Sequence, residues 1–256
     1  MSLYIYNDLA GKSIGNNLNL SFMNMYRSME RLSSGLKINS ASDGPANLII
    51  SESLRAQIGS LNQKIENTKM LTGKYNTASS YVSQLSSNLT EMRTLAVAAS
   101  NTGFNSETAQ QAYQTEAMEL VSNYNEIIEN AEYNGINLFD GSEGSVANIE
   151  KLSEIDFSTP DSVESSMVTI ENAVDTINNI QIDIGSTVKY DLEAEISTME
   201  ITRQNLIAAE SNIRDTDFIH EYTNFITESI KFKAGLAILS HLAISSDAVL
   251  GLLNSR

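Results

Sequence analysis

"RLSSGLKINSASDGPAN" (residues 31–47) interrupts two stretches that both carry the repeat of an amphipathic helix. It combines small and polar residues with two glycines and with Pro45, one of two prolines in the chain. Gly35 raises the cost of continuing a helix, and serine and asparagine side chains compete for backbone hydrogen bonds. The stretch therefore predicts the end of one helix and the start of another, with Ser42 or Asp43 as the cap and Pro45 in the first turn.

A narrow apolar stripe precedes this break. Its members, here called the N-terminal stripe, are spaced 4, 3, 4, 3 and 4 residues apart: Leu18, Phe22, Met25, Met29, Leu32 and Leu36. The last part of the chain has a C-terminal stripe with the same kind of spacing: Tyr222, Phe225, Ser229, Phe232, Leu236, Leu239 and Ala243. Such spacing favours packing against another helix. One narrow stripe buries too little area to order a lone helix, so we expect the end helices to pair with each other or with copies of themselves.

The helix after the break is predicted to be long, from about residue 48 to about residue 100. Apolar or small residues recur along it with heptad spacing, and we expect the following ones to form a seam in a bundle: Leu54, Leu61, Tyr75, Val82, Leu85, Leu89 and Met92. A third helix is predicted between "SNTGFNS" (100–106) and Glu132, and "EYNGINLFDG" (132–141) predicts a turn with a short extended piece.

The remaining segments complete a mostly α fold. Residues 141–158 are irregular and are predicted to be a surface loop or a small hairpin. A fourth helix, capped by Ser158 or Thr159, is expected to continue to about Ile213. The prediction is a coiled-coil bundle of long antiparallel helices with a short hairpin region. Its domains are the terminal helices (1–41 with 213–256) and a helical middle (42–212) that contains the irregular segment 133–158.

Charge is unevenly distributed. The whole chain carries −16, but residues 1–41 carry +2 and residues 213–256 carry −1, so that residues 42–212 carry −17. This acidity argues against nucleic acid as a partner, because phosphate binding requires a basic face. A solvated middle with two ends that become covered is typical of such a pattern.

Several classes of function are excluded or disfavoured by the residues. Cysteine is absent, which excludes disulfides, thiolate metal sites and thiol nucleophiles. His220 and Glu221 resemble the start of a zinc-protease helix, but Asn224 occupies the position of the second ligand, so we expect no metal site, no cofactor and no enzymatic activity. The N-terminus lacks the pattern of a secretory signal peptide. The apolar window 234–253 contains His241 and Asp247, which disfavours membrane insertion.

The chain resembles the bacterial flagellins over nearly its whole length. "ERLSSGLKINSASDGPA" (30–46) is similar to the family's signature, and "LIISESLRAQIGSLNQ" (48–63), "LTEMRTLAVAASN" (89–101) and "EYNGINLFDG" match the blocks that follow it. "NLIAAESNIRDTDFIHE" (205–221) resembles the family's return block, and "VLGLLNSR" (249–256) its leucine-rich end.

The resemblance implies a subunit that polymerises into the extracellular flagellar filament. The terminal helices would pair as an inner coiled coil that lines the tube. The joint to the outer shell would be formed by Ser33, Ser34, Gly35, Asn39, Asp43, Arg214, Asp215 and Asp217. The resemblance further implies export through the flagellar secretion channel, an export chaperone on the C-terminal helix, and hook-associated and cap proteins as partners.

Two departures from the family stand out. The large variable outer domains of many flagellins are lacking, because only a short irregular segment separates the turn from Pro160. An innate-immune receptor recognises many flagellins around the block that contains Glu91, Arg93 and Leu95. Glu91 stands where those members carry arginine, and we therefore expect weaker receptor activation.

Two alternatives remain open. A hook–filament junction adaptor of the same superfamily would be structural but would not form long filaments on its own. A membrane-active toxin is suggested by the apolar C-terminal stripe, although that stripe has the spacing of a packed helix.

Overall fold

The computed structural model describes residues 2–101, 105–153 and 155–254, and for residues 2–8, 10 and 243–254 it describes the backbone alone. The helices are α1 (Ser2–Ser34), α2 (Pro45–Ala99), α3 (Glu107–Asn130), α4 (Pro160–Ser186), α5 (Glu193–Arg214) and α6 (Phe218–Asn254). A 3-10 turn (Ala41–Asp43) precedes α2, a π-helical segment (Thr187–Leu192) joins α4 to α5, and two short strands, β1 (Glu132–Tyr133) and β2 (Ile136–Asn137), follow α3. The predicted mostly α fold is confirmed.

The chain divides into two compact units. Unit 1 comprises residues 1–60 and 203–256, and unit 2 comprises residues 61–202. The prediction placed one division after residue 41, before α2 begins, and the other before residue 213, near the end of α5. They differ because the first turns of α2 are tied to the end of α5: Arg214 Nη1 lies 2.5 Å from Glu52 Oε1.

Unit 2 holds the main apolar core. Val82, Leu85, Leu89 and Met92 on α2 are fully buried, as predicted for one part of the seam, whereas Leu61 and Tyr75 are partly exposed. Leu54 lies in unit 1 and is also partly exposed. Further core residues come from α3, α4 and the segment between them: Ala117, Val121, Tyr124, Ile128, Leu138, Phe139, Ile149, Ile155, Phe157, Val163, Ile170, Ile177 and Ile184.

The turn after α3 has the predicted geometry. Asn134 and Gly135 both have positive φ angles, 53° and 75°, which fit the tight turn of a two-residue hairpin between β1 and β2. The segment that follows is more than a surface loop. It is closed by a bridge between Asp140 and Asn148, and it buries Phe157 in the core, where Gln114 on α3 accepts a hydrogen bond from the Phe157 backbone N–H at 2.5 Å.

The fourth predicted helix is interrupted by the π-helical segment. The buried residues along it, Ile177, Ile184, Leu192 and Met199, are spaced 7, 8 and 7 residues apart. The interval of eight spans the π-helical segment. A π-helical turn holds more residues than an α-helical turn, so the interruption absorbs the additional residue and keeps all four side chains on one face.

Candidate assembly interface

The terminal helices α1 and α6 pack against each other as an antiparallel pair within unit 1. The rings of Phe22 and Phe232 lie with their centroids 5.9 Å apart, and Arg31 Nη1 lies 3.7 Å from Glu221 Oε2. Near the open end of the pair, Leu18 packs onto the backbone of Gly235 so closely that a Cβ atom on the glycine would lie 2.9 Å from Leu18 Cδ2.

The residues that face inward in this pair coincide only partly with the predicted stripes. On α1 the inward residues are spaced 3, 4, 3 and 4 apart: Leu18, Ser21, Met25, Ser28 and Leu32. On α6 they are spaced 4, 3, 4, 3 and 4 apart: Glu221, Phe225, Glu228, Phe232, Gly235 and Leu239. Among these inward residues, large apolar side chains on α1 alternate with serines, and those on α6 alternate with glutamate or glycine. These small and polar residues, which sequence reasoning missed, allow the helices to approach closely.

The inward residues Glu228 and Ser21 are partners across the pair of α1 and α6. The hydrogen bond from Lys231, at 2.9 Å, holds the pKa of Glu228 below its ordinary value of 4.5, and the Ser21 hydroxyl, which also donates to this carboxylate, acts in the same direction. Ser21 and Ser28 are only 8% and 5% exposed. The polar contacts therefore contribute to the register of the pair, because a shift along the helix axis would separate Ser21 from Glu228.

Two residues of each predicted stripe are about half exposed although α1 and α6 are paired. Phe22 is 50% exposed, Met29 47%, Tyr222 58% and Leu236 50%. Other large apolar side chains on the two helices are also exposed. The outer face of α1 consists of Leu20, Phe22, Met23, Tyr26 and Met29, and the outer face of α6 consists of Phe218, Ile219, Tyr222, Ile226, Ile230, Leu236 and Ile238. Large exposed apolar surfaces mark sites of interaction with another molecule.

The two units differ in charge as well as in packing. Unit 1 contains ten basic and ten acidic side chains, whereas unit 2 contains six basic and 22 acidic ones. The unit that exposes the apolar faces is thus neutral, and copies of it can approach without net repulsion. The excess negative charge lies wholly on unit 2.

The predicted joint is a backbone structure that links the end of α1 to the end of α5. Gly35 has a φ of +72°, a left-handed conformation that a side chain would disfavour. Its carbonyl accepts a hydrogen bond from the Thr216 N–H at 3.0 Å, and the Lys37 N–H donates to the Arg214 carbonyl at 2.7 Å. These bonds flank an antiparallel bridge between Leu36 and Asp215.

Asp43 and Asp217 in the joint each accept hydrogen bonds from backbone N–H groups. The sequence predicted that Ser42 or Asp43 would cap α2, but neither does. Asp43 instead closes the 3-10 turn, where its Oδ2 accepts from the N–H groups of Asn39 and Ser40. The bond from Ser40 is the main reason that the pKa of Asp43 lies below its ordinary value. Asp217 caps α6 through hydrogen bonds from the backbone N–H groups of Ile219 and His220.

The remaining joint residues are less involved. The Ser34 hydroxyl accepts a hydrogen bond from the Leu36 N–H at 3.1 Å, and Ser33 is exposed beside it. The Asp215 carboxylate accepts from the Ser211 hydroxyl at 2.6 Å. The Arg214 side chain is 11% exposed, and its hydrogen bond is the main cause of the lowered pKa of Glu52.

The residues of the predicted receptor surface lie on α2 in unit 2. Glu91 is exposed, and Arg93 lies 3.5 Å from Glu171 on α4 in an exposed ion pair. Leu95 is partly buried against the core of the unit. The three residues therefore share one stretch of helix, but Arg93 and Glu91 are the two that are open to a partner.

In the described part of the chain, none of the helices has the length and apolar character required to cross a membrane. Nor do the described His, Asp and Glu residues form a group of three that could hold a metal ion. His220 and His241 are both exposed.

Residues 7–144 match the bacterial flagellin N-terminal helical region, and residues 167–253 match the bacterial flagellin C-terminal helical region. The chain belongs to the bacterial flagellin family. A flagellin of Halalkalibacterium halodurans is 30% identical over 98% of this chain and 100% of its own length. The flagellin of Bacillus subtilis is 26% identical over 97% of this chain and 99% of its own length.

A flagellar filament 31.3 kDa core protein of Treponema maltophilum is 28% identical over 89% of this chain and 91% of its own length. The two regions of this chain that match the flagellin family include most of the terminal helices α1 and α6, which form the pair described above. The predicted membership of this family is confirmed.

Proposed function

We propose that this flagellin is the structural subunit of a flagellar filament and that it self-assembles through the outer faces of α1 and α6. One observation carries the proposal: the pairing of α1 with α6 in a single chain leaves large residues of both apolar stripes uncovered. Phe22, Met29, Tyr222 and Leu236 are left about half exposed. Further copies of the chain are the partner that the family membership supports.

The different composition of the two outer faces favours an open polymer. The outer face of one helix differs in composition from that of the other, so a contact between α1 of one copy and α6 of the next joins two different surfaces. Contacts of this kind propagate into a helical filament when the rotation between copies does not close a ring. Assembly then covers side chains that a lone chain leaves in water, and each large apolar side chain contributes up to about 1.5–3 kcal/mol on full burial.

A substitution on the outer face tests this proposal without removing an inward contact. Leu236→Asp places a charge on the outer face of α6, and Met118→Asp is its control on α3 because both native side chains are 50% exposed. Leu236→Asp is expected to abolish filaments in sedimentation and electron microscopy, while Met118→Asp assembles. Normal filaments from Leu236→Asp would refute the proposed interface, and a native chain that forms no long filaments would favour a junction adaptor.

Export and further partners follow from the same surfaces. The proposal includes passage through the flagellar secretion channel, contact with hook-associated and cap proteins at the filament ends, and an extracellular location. The outer face of α6, exposed before assembly, suits an export chaperone. We expect a flagellar export chaperone to bind the native chain and to bind an Ile226→Asp, Ile230→Asp variant more weakly; equal binding would contradict this assignment.

Weak recognition by the innate-immune receptor is part of the same proposal. Glu91 is exposed beside Arg93 and carries the charge opposite to that of the arginine in recognised members. Glu91→Arg is therefore expected to increase potency in a reporter-cell assay, with Glu107→Arg as a control for the change of net charge. Full potency of the native chain would refute the idea.

A further inference from the structure

Helix α1 contains the most concentrated group of methionines in the chain. Three of the nine methionines, at positions 23, 25 and 29, lie within seven residues, and the chain has no cysteine and no tryptophan. Thioethers are therefore its main soft, oxidisable groups. Met23 is 54% exposed and Met29 47%, whereas Met25 faces inward in the pair of α1 and α6.

Met23 and Met29 lie on one continuous surface. Each is three residues from Tyr26, which is 62% exposed, and side chains three residues apart are neighbours on a helix. Both thioethers are thus open to solvent in the lone chain and sit inside the apolar surface that assembly is proposed to cover.

We propose that Met23 and Met29 form an oxidation site that controls addition of the subunit to the filament, with a hydroperoxide as the oxidant; this rests on the proposed self-assembly. The sulfur lone pair attacks one peroxide oxygen, a sulfur–oxygen bond forms, and the oxygen–oxygen bond breaks. The methionine loses two electrons and becomes the sulfoxide, and hydrogen peroxide is reduced to water. Methionine sulfoxide reductase, supplied with a thiol reductant, reverses the step: two thiols are oxidised to a disulfide, the sulfoxide returns to the thioether, and the oxygen leaves as water.

The sulfoxide opposes assembly for a direct physical reason. It replaces a flexible apolar side chain with a polar one whose oxygen accepts hydrogen bonds from water. Burial between two apolar helix faces removes that water, and the outer face of α6 offers mainly isoleucine and leucine in return. We expect the critical concentration for polymerisation to rise by about tenfold or more, which corresponds to about 1.4 kcal/mol per subunit.

The site is sensitive only before assembly. In the filament the same thioethers would be covered by a neighbouring copy, so oxidation should be slow there. Met70 and Met118, which are 58% and 50% exposed, belong to unit 2 and are not residues of the proposed interface. Their oxidation rates provide an internal reference in the same molecule.

The test compares peroxide treatment of free subunits and of filaments, with oxidation at each methionine measured by peptide mass spectrometry. Free subunits oxidised at Met23 and Met29 are expected to show the raised critical concentration, and reductase treatment is expected to restore it. The critical concentration of Met23→Leu, Met29→Leu, compared with its own untreated value, should not rise after peroxide, whereas that of the matched control Met70→Leu, Met118→Leu should rise as in the native chain.

Each outcome decides the proposal. Unchanged assembly of fully oxidised subunits, or a sensitive Met23→Leu, Met29→Leu variant, would overturn it. If that variant fails to assemble, the oxidation rates in native filaments decide: protection of Met23 and Met29 relative to Met70 and Met118 supports the site, and equal rates overturn it. Failure of the untreated native chain to polymerise would instead refute the proposed function.

Discussion

Replacement of Gly235 by alanine tests the close approach of α1 and α6. The added Cβ would lie 2.9 Å from Leu18 Cδ2 and 3.1 Å from Leu18 Cγ, closer than the 3.4–4 Å of ordinary contact. Overpacking of this kind costs about 1–3 kcal/mol. Against it stands the helix propensity of alanine, which exceeds that of glycine by about 1 kcal/mol. The expected net effect ranges from about zero to about 2 kcal/mol of destabilisation.

Gly15→Ala on α1 is the matched control. A Cβ atom at Gly15 would meet nothing within 4 Å, so only the gain in helix propensity of about 1 kcal/mol remains. The propensity term is common to both substitutions and cancels in their difference. The pair of α1 and α6 in Gly235→Ala should thus be less stable than in Gly15→Ala by about 1–3 kcal/mol, the cost of packing alone.

Native-state hydrogen exchange of the α1 and α6 amides in dilute, unassembled chain measures these differences, because it reports the free energy of local opening. Leu18→Ala should remove the clash, so the Leu18→Ala, Gly235→Ala double variant should be more stable than the sum of the single changes predicts. Equal protection in Gly235→Ala and Gly15→Ala, or strict additivity in the double variant, would refute the close approach of the two helices.

Three further outcomes follow from the packing, the charge and the carboxylates. Phe232→Asp removes an inward ring that contacts Phe22. It should abolish filaments and reduce the hydrogen-exchange protection of α6, while unit 2 remains folded. Normal filaments would contradict the inward placement of Phe232. Because unit 2 holds the excess of acidic charge, neighbouring copies of it repel each other. The critical concentration should fall as salt rises from about 0.01 M to about 0.15 M, because the Debye length shortens from about 30 Å to about 8 Å. An unchanged critical concentration would contradict the role of this repulsion. The pKa of Glu228 is lowered mainly by Lys231 on the same helix and further by Ser21 on α1. The resulting stabilisation is present above the ordinary pKa of 4.5 and is lost as pH falls through the lower pKa of the folded chain, so acid should reduce the hydrogen-exchange protection of α6 around Glu228. Glu228→Gln should show a smaller loss of protection in acid, and an equal loss in both chains would contradict the role of Glu228.

Much of the fold could be predicted because its signals are local. Gly35 and Pro45 mark the break between α1 and α2, Asn134-Gly135 marks the hairpin, and Thr159 caps α4, with its hydroxyl oxygen accepting from the Ser162 N–H at 3.2 Å. The heptad spacing from Val82 to Met92 identified side chains that are fully buried. Each of these features depends on a few adjacent residues or on a simple repeat.

The choice of inward positions on α1 and α6 could not be predicted in the same way. A stripe with spacings of 3 and 4 residues lies beside a second row with the same spacing, and hydrophobicity alone favours Phe22 and Met29 over Ser21 and Ser28. The pairing instead selects the small and polar row because Ser21 meets Glu228 and Gly235 admits Leu18. That complementarity involves residues about 200 positions apart in sequence, which a periodicity on one helix does not reveal.

Two other features lacked a clear local signal. Phe157 and Ile155 are core residues within an irregular segment, which Gln114 on α3 ties down by donating a hydrogen bond to the Ile155 carbonyl and accepting one from the Phe157 N–H. The π-helical segment is visible in the sequence only as one interval of eight between Ile184 and Leu192, which helical periodicity alone does not separate from an ordinary turn.

The most direct measurement of the central claim is hydrogen exchange across α1 and α6 as the concentration of the chain is raised, with electron microscopy of the same samples. Above a threshold concentration, long filaments should appear and protection of the α1 and α6 amides should rise sharply, while protection of the unit 2 core stays constant. Full protection of both helices in dilute chain, with no filaments at any concentration, would contradict the claim that identical neighbours cover the outer faces.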